Sequence, residues 1–299
     1  MNVLKLNKCG VIFKEDTHQY FLGEKELQGV TGILHRRLFA DKYKAVPPAI
    51  LAKAAERGSH IHKMCEMVDD LGVTPAECPE AANYKALMER EGLKSVASEY
   101  LVTDNEHYAS SIDAIYYGSD EDSVVLNDRK TTSKLDKEYL SWQLSIYAEF
   151  FEKQNPHIKV ERLTATWLRG EICEYVPIPT KPKEEVLRLL EADINNEAFE
   201  PADDGIPSVI KDSLSTLSYI NGRMKALKVE QDEIKAKIEA YMADHKLNNV
   251  TTDLATFSYV GEKTSLKFDE KAFKEAHEDL YEAFMSETTK KGYLTIKFK

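Results

Sequence analysis

An α/β fold with a C-terminal helical plus small α/β appendage is predicted by three observations. Strand-like runs alternate with helix-like runs over the first two-thirds of the chain. A proline-, glycine- and acid-rich stretch, "NNEAFEPADDGIPSVIKDS" (195–213), then interrupts the pattern. Beyond it, apolar residues recur at alternating spacings of three and four over a long stretch, as in a helix packed along a partner helix.

Taken in order, residues 9–34 ("CGVIFKEDTHQYFLGEKELQGVTGIL") mix short apolar runs with turn residues and predict two or three small strands. Pro47 and Pro48 suit the start of a helix, which "AILAKAAERGSHIHKMCEMVDDLG" carries to Gly72. Residues 80–91 predict a second helix, followed by strands at 98–103, 107–117 and 123–129. A helix over 137–152, a hairpin of "RLTATWL" and "EICEYVPI", and a helix over 183–195 complete the first region, 1–200. The second region, 213–299, opens on a long helix whose seam is Leu217, Ile220, Met224, Leu227, Ile234, Ile238 and Tyr241, with Gln231 interrupting it. A hairpin of "VTTDLATFSYV" and "TSLKFD", a helix over 270–285 and a terminal strand "YLTIKFK" follow.

Composition narrows the function classes. With 299 residues and 42% hydrophobic content the chain has material for a real core. No apolar run is long enough to cross a bilayer, and "MNVLKLNKCGVIFKED" lacks the apolar segment of a secretory signal, so a cytoplasmic protein without membrane partners is expected. Cys9, Cys65, Cys78 and Cys173 lie far apart, which gives no support to a disulfide framework, a zinc knuckle or a cysteine-held cluster. A formal net charge of −11 argues against coating nucleic acid by charge alone, yet two basic patches persist. One holds Arg36, Arg37, Lys42, Lys44, Lys53 and Arg57; the other holds Lys290, Lys291, Lys297 and Lys299.

The chemistry concentrates in "ASSIDAIYYGSDEDSVVLNDRKTT" (109–132). Two antiparallel strands joined by a tight acidic turn, Gly118 to Asp122, bring Asp113 near Asp128. Asp128 and Lys130, two apart, share a strand face. Paired carboxylates with a lysine suit metal-assisted phosphodiester hydrolysis, because oxygen ligands hold a hard cation and the ammonium meets charge at phosphorus. A D-x-K triplet alone is more often a solvated strand end. Upstream, Gly58, His62 and Glu66 fall on one helical stripe. They border the apolar stripe Leu51, Ala54, Ile61, Cys65 and Val68, while His60 points the other way. His62 by itself reads as a core-edge histidine. Glu99 in "SEYLV" admits two readings, a further acid of the site or a strand-edge glutamate facing water.

Together, Gly58-x-x-x-His62-x-x-x-Glu66, Asp113, Asp128-x-Lys130 and Gln143-x-x-x-Tyr147, in helix–strand–strand–helix order, resemble the PD-(D/E)XK nuclease superfamily in its RecB-like branch. The resemblance covers about residues 48–155, and "VIFKEDTHQYF … LQGVTGIL" is similar to the opening of phage exonucleases of this type. It implies a restriction-endonuclease-like core, a mixed central sheet flanked by helices. It also implies Mg²⁺ or Mn²⁺ held by Asp113, Asp128, His62 and the carbonyl of Arg129, with Glu66 binding a second metal directly or through water. Lys130 would activate the attacking water, and Gln143, Tyr147 and Thr131 would brace the site or touch DNA, as would Arg36, Arg37 and Arg57. Two departures stand out: Ile112 replaces the proline before Asp113, and Ser110 replaces a frequent glycine.

The implied function is a metal-dependent DNA exonuclease acting at duplex ends in phage-type recombination, with a homo-oligomer expected because relatives form toroidal trimers. A structure-specific or nicking endonuclease, and a non-catalytic DNA- or protein-binding module, are the alternatives. The C-terminal region is similar to tails of YqaJ-like recombination nucleases. Its seam reads equally as intradomain packing or as docking of a second copy or a single-strand-annealing recombinase. "GEKTS" (261–265) lacks the upstream glycine and strand-to-helix context of a phosphate loop, and no G-x-S-x-G elbow occurs.

Overall fold

The N-terminal strands β1 (Val11–Lys14), β2 (Gln19–Leu22) and β3 (Lys25–Gly29) form an antiparallel meander in a computed structural model that describes residues 4–75, 77–202, 205–261 and 267–286. The chain is a mixed α/β protein in two compact units, Met1–Tyr219 and Ile220–Lys299.

In the first unit, the strand expected to run through "GVTGIL" gives way to helix α1 (Val30–Arg37). Val30, Ile33 and Leu34 are spaced for one helical face and all three are wholly buried, so packing overrides the β-branched local preference. Helix α2 (Pro48–Leu71) starts on proline and stops at Gly72, whose φ of 65° closes the C-terminus in a left-handed turn. Helix α3 (Pro79–Glu91) follows, then strands β4 (Ser95–Thr103), β5 (Tyr108–Tyr117) and β6 (Ser123–Lys130). Helix α4 (Lys137–Gln154) connects β6 to β7 (Lys159–Arg169), the crossover that a parallel strand pair requires. Strand β8 (Ile172–Ile178) returns antiparallel, and helix α5 (Lys183–Ile194) packs behind α4.

These eight strands make one sheet in the order β1-β2-β3-β5-β6-β7-β8, with β4 paired to β5. The core lies between the sheet and α1, α4 and α5, filled by Ile112, Ile115, Leu126, Trp142, Ile146, Phe150 and Phe151. Helix α4 is buried on nearly every side, as a helix enclosed by the sheet and other helices must be.

The sheet forks at one place. The β5–β6 ladder runs from Tyr117↔Val124 to Ala114↔Asn127, whereas β6 stays paired with β7 through Lys130↔Trp167. At the other end of β5, Ala109 pairs in parallel with Gly29 of β3. Residues 110–113 of β5 therefore face an opening between β3 and the last residues of β6.

Helix α6 (Ser208–Asp244) starts in the first unit, inside the stretch read as a linker, because Pro207 provides a helix-compatible φ and its carbonyl accepts from the Ile210 amide at 2.9 Å. In the second unit, strands β9 (Asn249–Thr251) and β10 (Thr256–Ser258) form a hairpin over residues 249–258. The Thr252 hydroxyl accepts from the Leu254 and Ala255 amides and turns the chain within that stretch, while the expected partner segment "TSLKFD" begins outside the described residues. The helix expected over 270–285 is two, α7 (Glu270–Ala276) and α8 (Glu278–Ala283), divided at His277. The terminal strand 293–299, most of "GEKTS" and the basic patch Lys290 to Lys299 lie outside the described residues. Among the described residues, no helix is long and apolar enough to cross a membrane.

Candidate metal centre

The fork in the sheet is where the sequence-predicted acids meet. Asp113 leaves β5 just as the β5–β6 ladder ends, and its Oδ2 accepts the amide N–H of Arg129 at 2.7 Å in place of a ladder bond. The side chain thus substitutes for the backbone partner that the splayed strands lose. From α2, His62 reaches across, and its Nδ1 stands 3.5 Å from the same Asp113 oxygen. The α2 helix can approach β6 closely because residue 58 is glycine. A Cβ there would stand 3.3 Å from Thr131 Oγ1.

Glu99 supplies the third donor. His62, Glu99 and Asp113 each present one ligand atom, and these atoms lie within 4.8 Å of one another. Glu99 stands opposite Asp113 in the β4–β5 register, between the pairs Ser98↔Ala114 and Tyr100↔Ile112. Its φ is +45°, a left-handed backbone that a glutamate adopts only under constraint. With its carboxylate beside His62 and Asp113, Glu99 keeps 37% of its side chain exposed. It is also the residue whose part the sequence reveals least, since strand periodicity does not encode a reversed φ.

Electrostatics favour a neutral imidazole beside charge-hungry carboxylates. Burial lowers the His62 pKa against the opposing pull of Asp113, leaving a lone pair for a ligand. Burial, with Asp113 and Glu66 nearby, pushes the Glu99 carboxyl up to about 8. Two acids stand together at the fork with Arg129 as a nearby cation on one side, and a bound cation would add positive charge between them. The donor set of one imidazole and two carboxylates suits a divalent ion.

Asp128 and Lys130 stand beside this group and not within it. Lys130 Nζ is 2.7 Å from Asp128 Oδ2, both on the β6 face that alternation predicts. Burial raises Asp128 to about 6 despite Lys130, with Asp113 adding to the rise. Burial opposes the Lys130 charge, but Asp128 and Asp113 outweigh it, so its pKa is raised and the amine stays an ammonium. Glu66, one turn beyond His62, is half-buried and close enough for its charge to act on Glu99.

Behind the cluster lies a wholly buried ion pair. Arg129 and Asp69 have side chains with 0% exposure, and the Arg129 Nη2 donates to Asp69 Oδ2. The Tyr84 hydroxyl also donates to Asp69, at 2.8 Å, and lies 2.6 Å from the Tyr116 hydroxyl. Sequence reasoning missed Asp69 and Tyr84. The available signal is that Asp69 follows His62 by two turns on α2, so the two share a helix face.

The remaining candidates divide cleanly. Tyr147 accepts from Ser110 Oγ and from Gln143 Nε2, both at 2.8 Å, and both Gln143 and Tyr147 are buried. They brace the underside of β5, and Ser110, in place of glycine, is what makes that bond. Arg36 and Arg37 converge on Asp193 of α5, at 2.6 and 2.7 Å, which ties α1 to α5. Arg57 bonds Glu80 at 2.6 Å. These three arginines, expected to meet DNA or brace the site, have internal acidic partners. Lys42 bonds Asp136 at 2.5 Å and lies 3.8 Å over the Tyr139 ring.

No protein-family model matches the chain. No curated protein matches its sequence. Among solved structures, one titled "Crystal structure of SSO0001" is similar at 15% identity and a TM-score of 0.34, over 59% of this chain and 78% of that one. A likeness that low bears no argument, and the reading of the site rests on its own geometry.

Proposed function

We propose that the chain is a metal-dependent deoxyribonuclease of the PD-(D/E)XK type, an exonuclease working at duplex ends. The observation that carries this reading is the convergence of His62, Glu99 and Asp113 in the β5–β6 fork, with the Asp128–Lys130 pair alongside. His62, Glu99 and Asp113 would hold a cation of the Mg²⁺ or Mn²⁺ class. Such a cation supplies a polarised phosphate oxygen and a water of lowered pKa. The protein's own part begins with Lys130, whose Nζ carries a proton and a positive charge toward the charge that develops at phosphorus. Asp128 holds that ammonium in place at 2.7 Å. The amide of Arg129 fixes Asp113.

The order of these groups along helix, strand, strand and helix supports the superfamily reading, as does a mixed sheet flanked by helices. DNA is the substrate in this reading, and phage-type recombination is the setting, with a single-strand-annealing recombinase or a second copy as the partner class. The test is cleavage of linear duplex DNA in Mg²⁺ by purified Asp113→Ala. Outer-shell partners of metal ligands are worth about 10–100-fold, so loss of a ligand should exceed about 100-fold. A variant as active as wild type would remove the assignment. Covalently closed circular DNA separates the second reading, since an endonuclease cuts it and an end-dependent enzyme does not.

A further inference from the structure

We propose that Arg129 is the positioning residue of the centre: its buried guanidinium sets where Glu99 stands relative to His62 and Asp113, and thereby the affinity for a divalent cation. The inference rests on reading those three residues as a cation site.

Strand alternation turns the Arg129 side chain away from the face of Asp128 and Lys130. Instead of reaching solvent, it ends in the layer between β6, α2 and α3, 5.2 Å over the Tyr84 ring. Its Nη2 is held by Asp69. Its Nη1 has no hydrogen-bond partner, although it is buried, and stands 3.7 Å from Glu99 Oε1. That distance gives Coulomb attraction without a bond. A buried, unsatisfied donor demands an explanation, and here it faces the one donor of the cluster whose backbone is strained. Two attractions hold Glu99 against the like charge of Asp113: the Ser111 hydroxyl, which donates to Oε2 at 2.9 Å, and Arg129 Nη1 on the side of Oε1.

The same residue touches every element that brings a ligand. Its amide fixes Asp113 of β5, its Nη1 faces Glu99 of β4, and through Asp69 its Nη2 anchors α2, the helix that carries His62. Tyr84 and Tyr116 complete the setting, since Tyr84 donates to Asp69 at 2.8 Å. The guanidinium fork can address Asp69 and Glu99 at once, which a lysine ammonium, a single point charge on a shorter and flexible stem, does not reproduce.

The test is Mn²⁺ binding by the full chain, followed by calorimetry and by loss of the free Mn²⁺ paramagnetic resonance signal, with folding checked by circular dichroism. Arg129→Lys should bind Mn²⁺ about 10–100-fold more weakly than wild type while remaining folded. Asp69→Asn leaves the cation with Glu99 as its remaining acid, drawing that carboxylate from the cluster, and should weaken Mn²⁺ in the same direction. This second variant decides the matter if Arg129→Lys does not fold. A structural role alone would lower the thermal midpoint and leave the Mn²⁺ affinity of the folded variants at the wild-type value, and that result overturns the inference. Wild-type protein that takes up no Mn²⁺ would overturn the cation-site reading itself along with it.

Discussion

Helix α4 of the first unit and the part of α6 within the second unit are both rich in apolar residues, yet they live in opposite surroundings. In α4, Leu140, Trp142, Leu144, Ile146, Phe150 and Phe151 are at most 1% exposed. In α6, Met224, Leu227, Ile234 and Tyr241 are 66%, 56%, 50% and 59% exposed. Among the described residues of the second unit, Met242 is the hydrophobic side chain that is buried. The comparison teaches that periodicity identifies an apolar face but says nothing of whether anything covers it. The first unit puts its apolar groups where removal from water stabilises the fold, and this rigid scaffold can hold strained or charged residues at the fork.

Truncation should break the comparison most forcefully. Trp142→Ala removes a wholly buried ring that also meets Phe199 edge-on at 5.6 Å between centroids. It should destabilise the first unit by about 3–5 kcal/mol, through lost transfer energy and an unfilled cavity. Leu227→Ala should change stability by no more than about 0.5 kcal/mol, because that side chain is already in water. Urea midpoints, read with the two units' transitions resolved, check both. Equal losses would mean that something covers the α6 seam in solution.

The next effect depends on pH and lies within the first unit. Burial alone would raise the Asp193 pKa, but hydrogen bonds from Arg36, Arg37 and Tyr108 outweigh it and hold the carboxyl below its usual value. A folded pKa below the unfolded one contributes stability that is fully present above the unfolded value, about 3.9, and is lost as pH falls through the folded value. Wild-type stability should therefore drop on acidification below about pH 4. Asp193→Asn should lower stability at neutral pH by about 1–3 kcal/mol, because Arg36 and Arg37 lose their acid. It should also show a shallower acid limb in a pH series of thermal midpoints. Parallel acid limbs for the two proteins would contradict the assignment. The exposed cations of α6 have no counterpart to this clamp among the described ion pairs, which keeps the effect confined to the first unit.

How much was legible beforehand follows the same division. The strands from β5 to β8 and helices α2, α4 and α5 announce themselves by period, and their expected bounds differ from the observed ones by a few residues. The proximity of His62 and Asp113 is implied by the resemblance to PD-(D/E)XK nucleases, whereas His62 by itself reads as a core-edge histidine. Glu99 could not be decided, because its place in the cluster depends on a φ of +45° opposite Asp113, a feature of the fold and not of its own neighbours. The acidic partners of Arg36, Arg37 and Arg57 were not legible, because sequence shows charge without showing that Asp193, far along the chain, and Glu80 come to meet it. Asp69, and with it the side-chain role of Arg129, escaped for the same reason: a buried ion pair between a helix and a distant strand leaves no local mark. In α6 the seam was visible, and its exposure was not.

The smallest effect sharpens the comparison at its solvent-facing end. Lys228 bonds Asp232 at 2.7 Å, one turn apart on α6, with side chains 60% and 55% exposed. Water screens such a pair, so Asp232→Asn should cost only about 0.3–0.5 kcal/mol. The difference should vanish in about 1 M salt, where the screening length falls to about 3 Å. The buried Arg129–Asp69 pair of the first unit behaves oppositely, because salt does not reach it and removing one partner strands a charge in the interior. Thermal midpoints of Asp232→Asn and wild type in low and high salt provide the measurement. A salt-independent loss of 2 kcal/mol or more, about the size expected of a buried charge-assisted bond, would mean that this turn of α6 is shielded from solvent, and the contrast between the two helices would then fail at the point where it is most exposed.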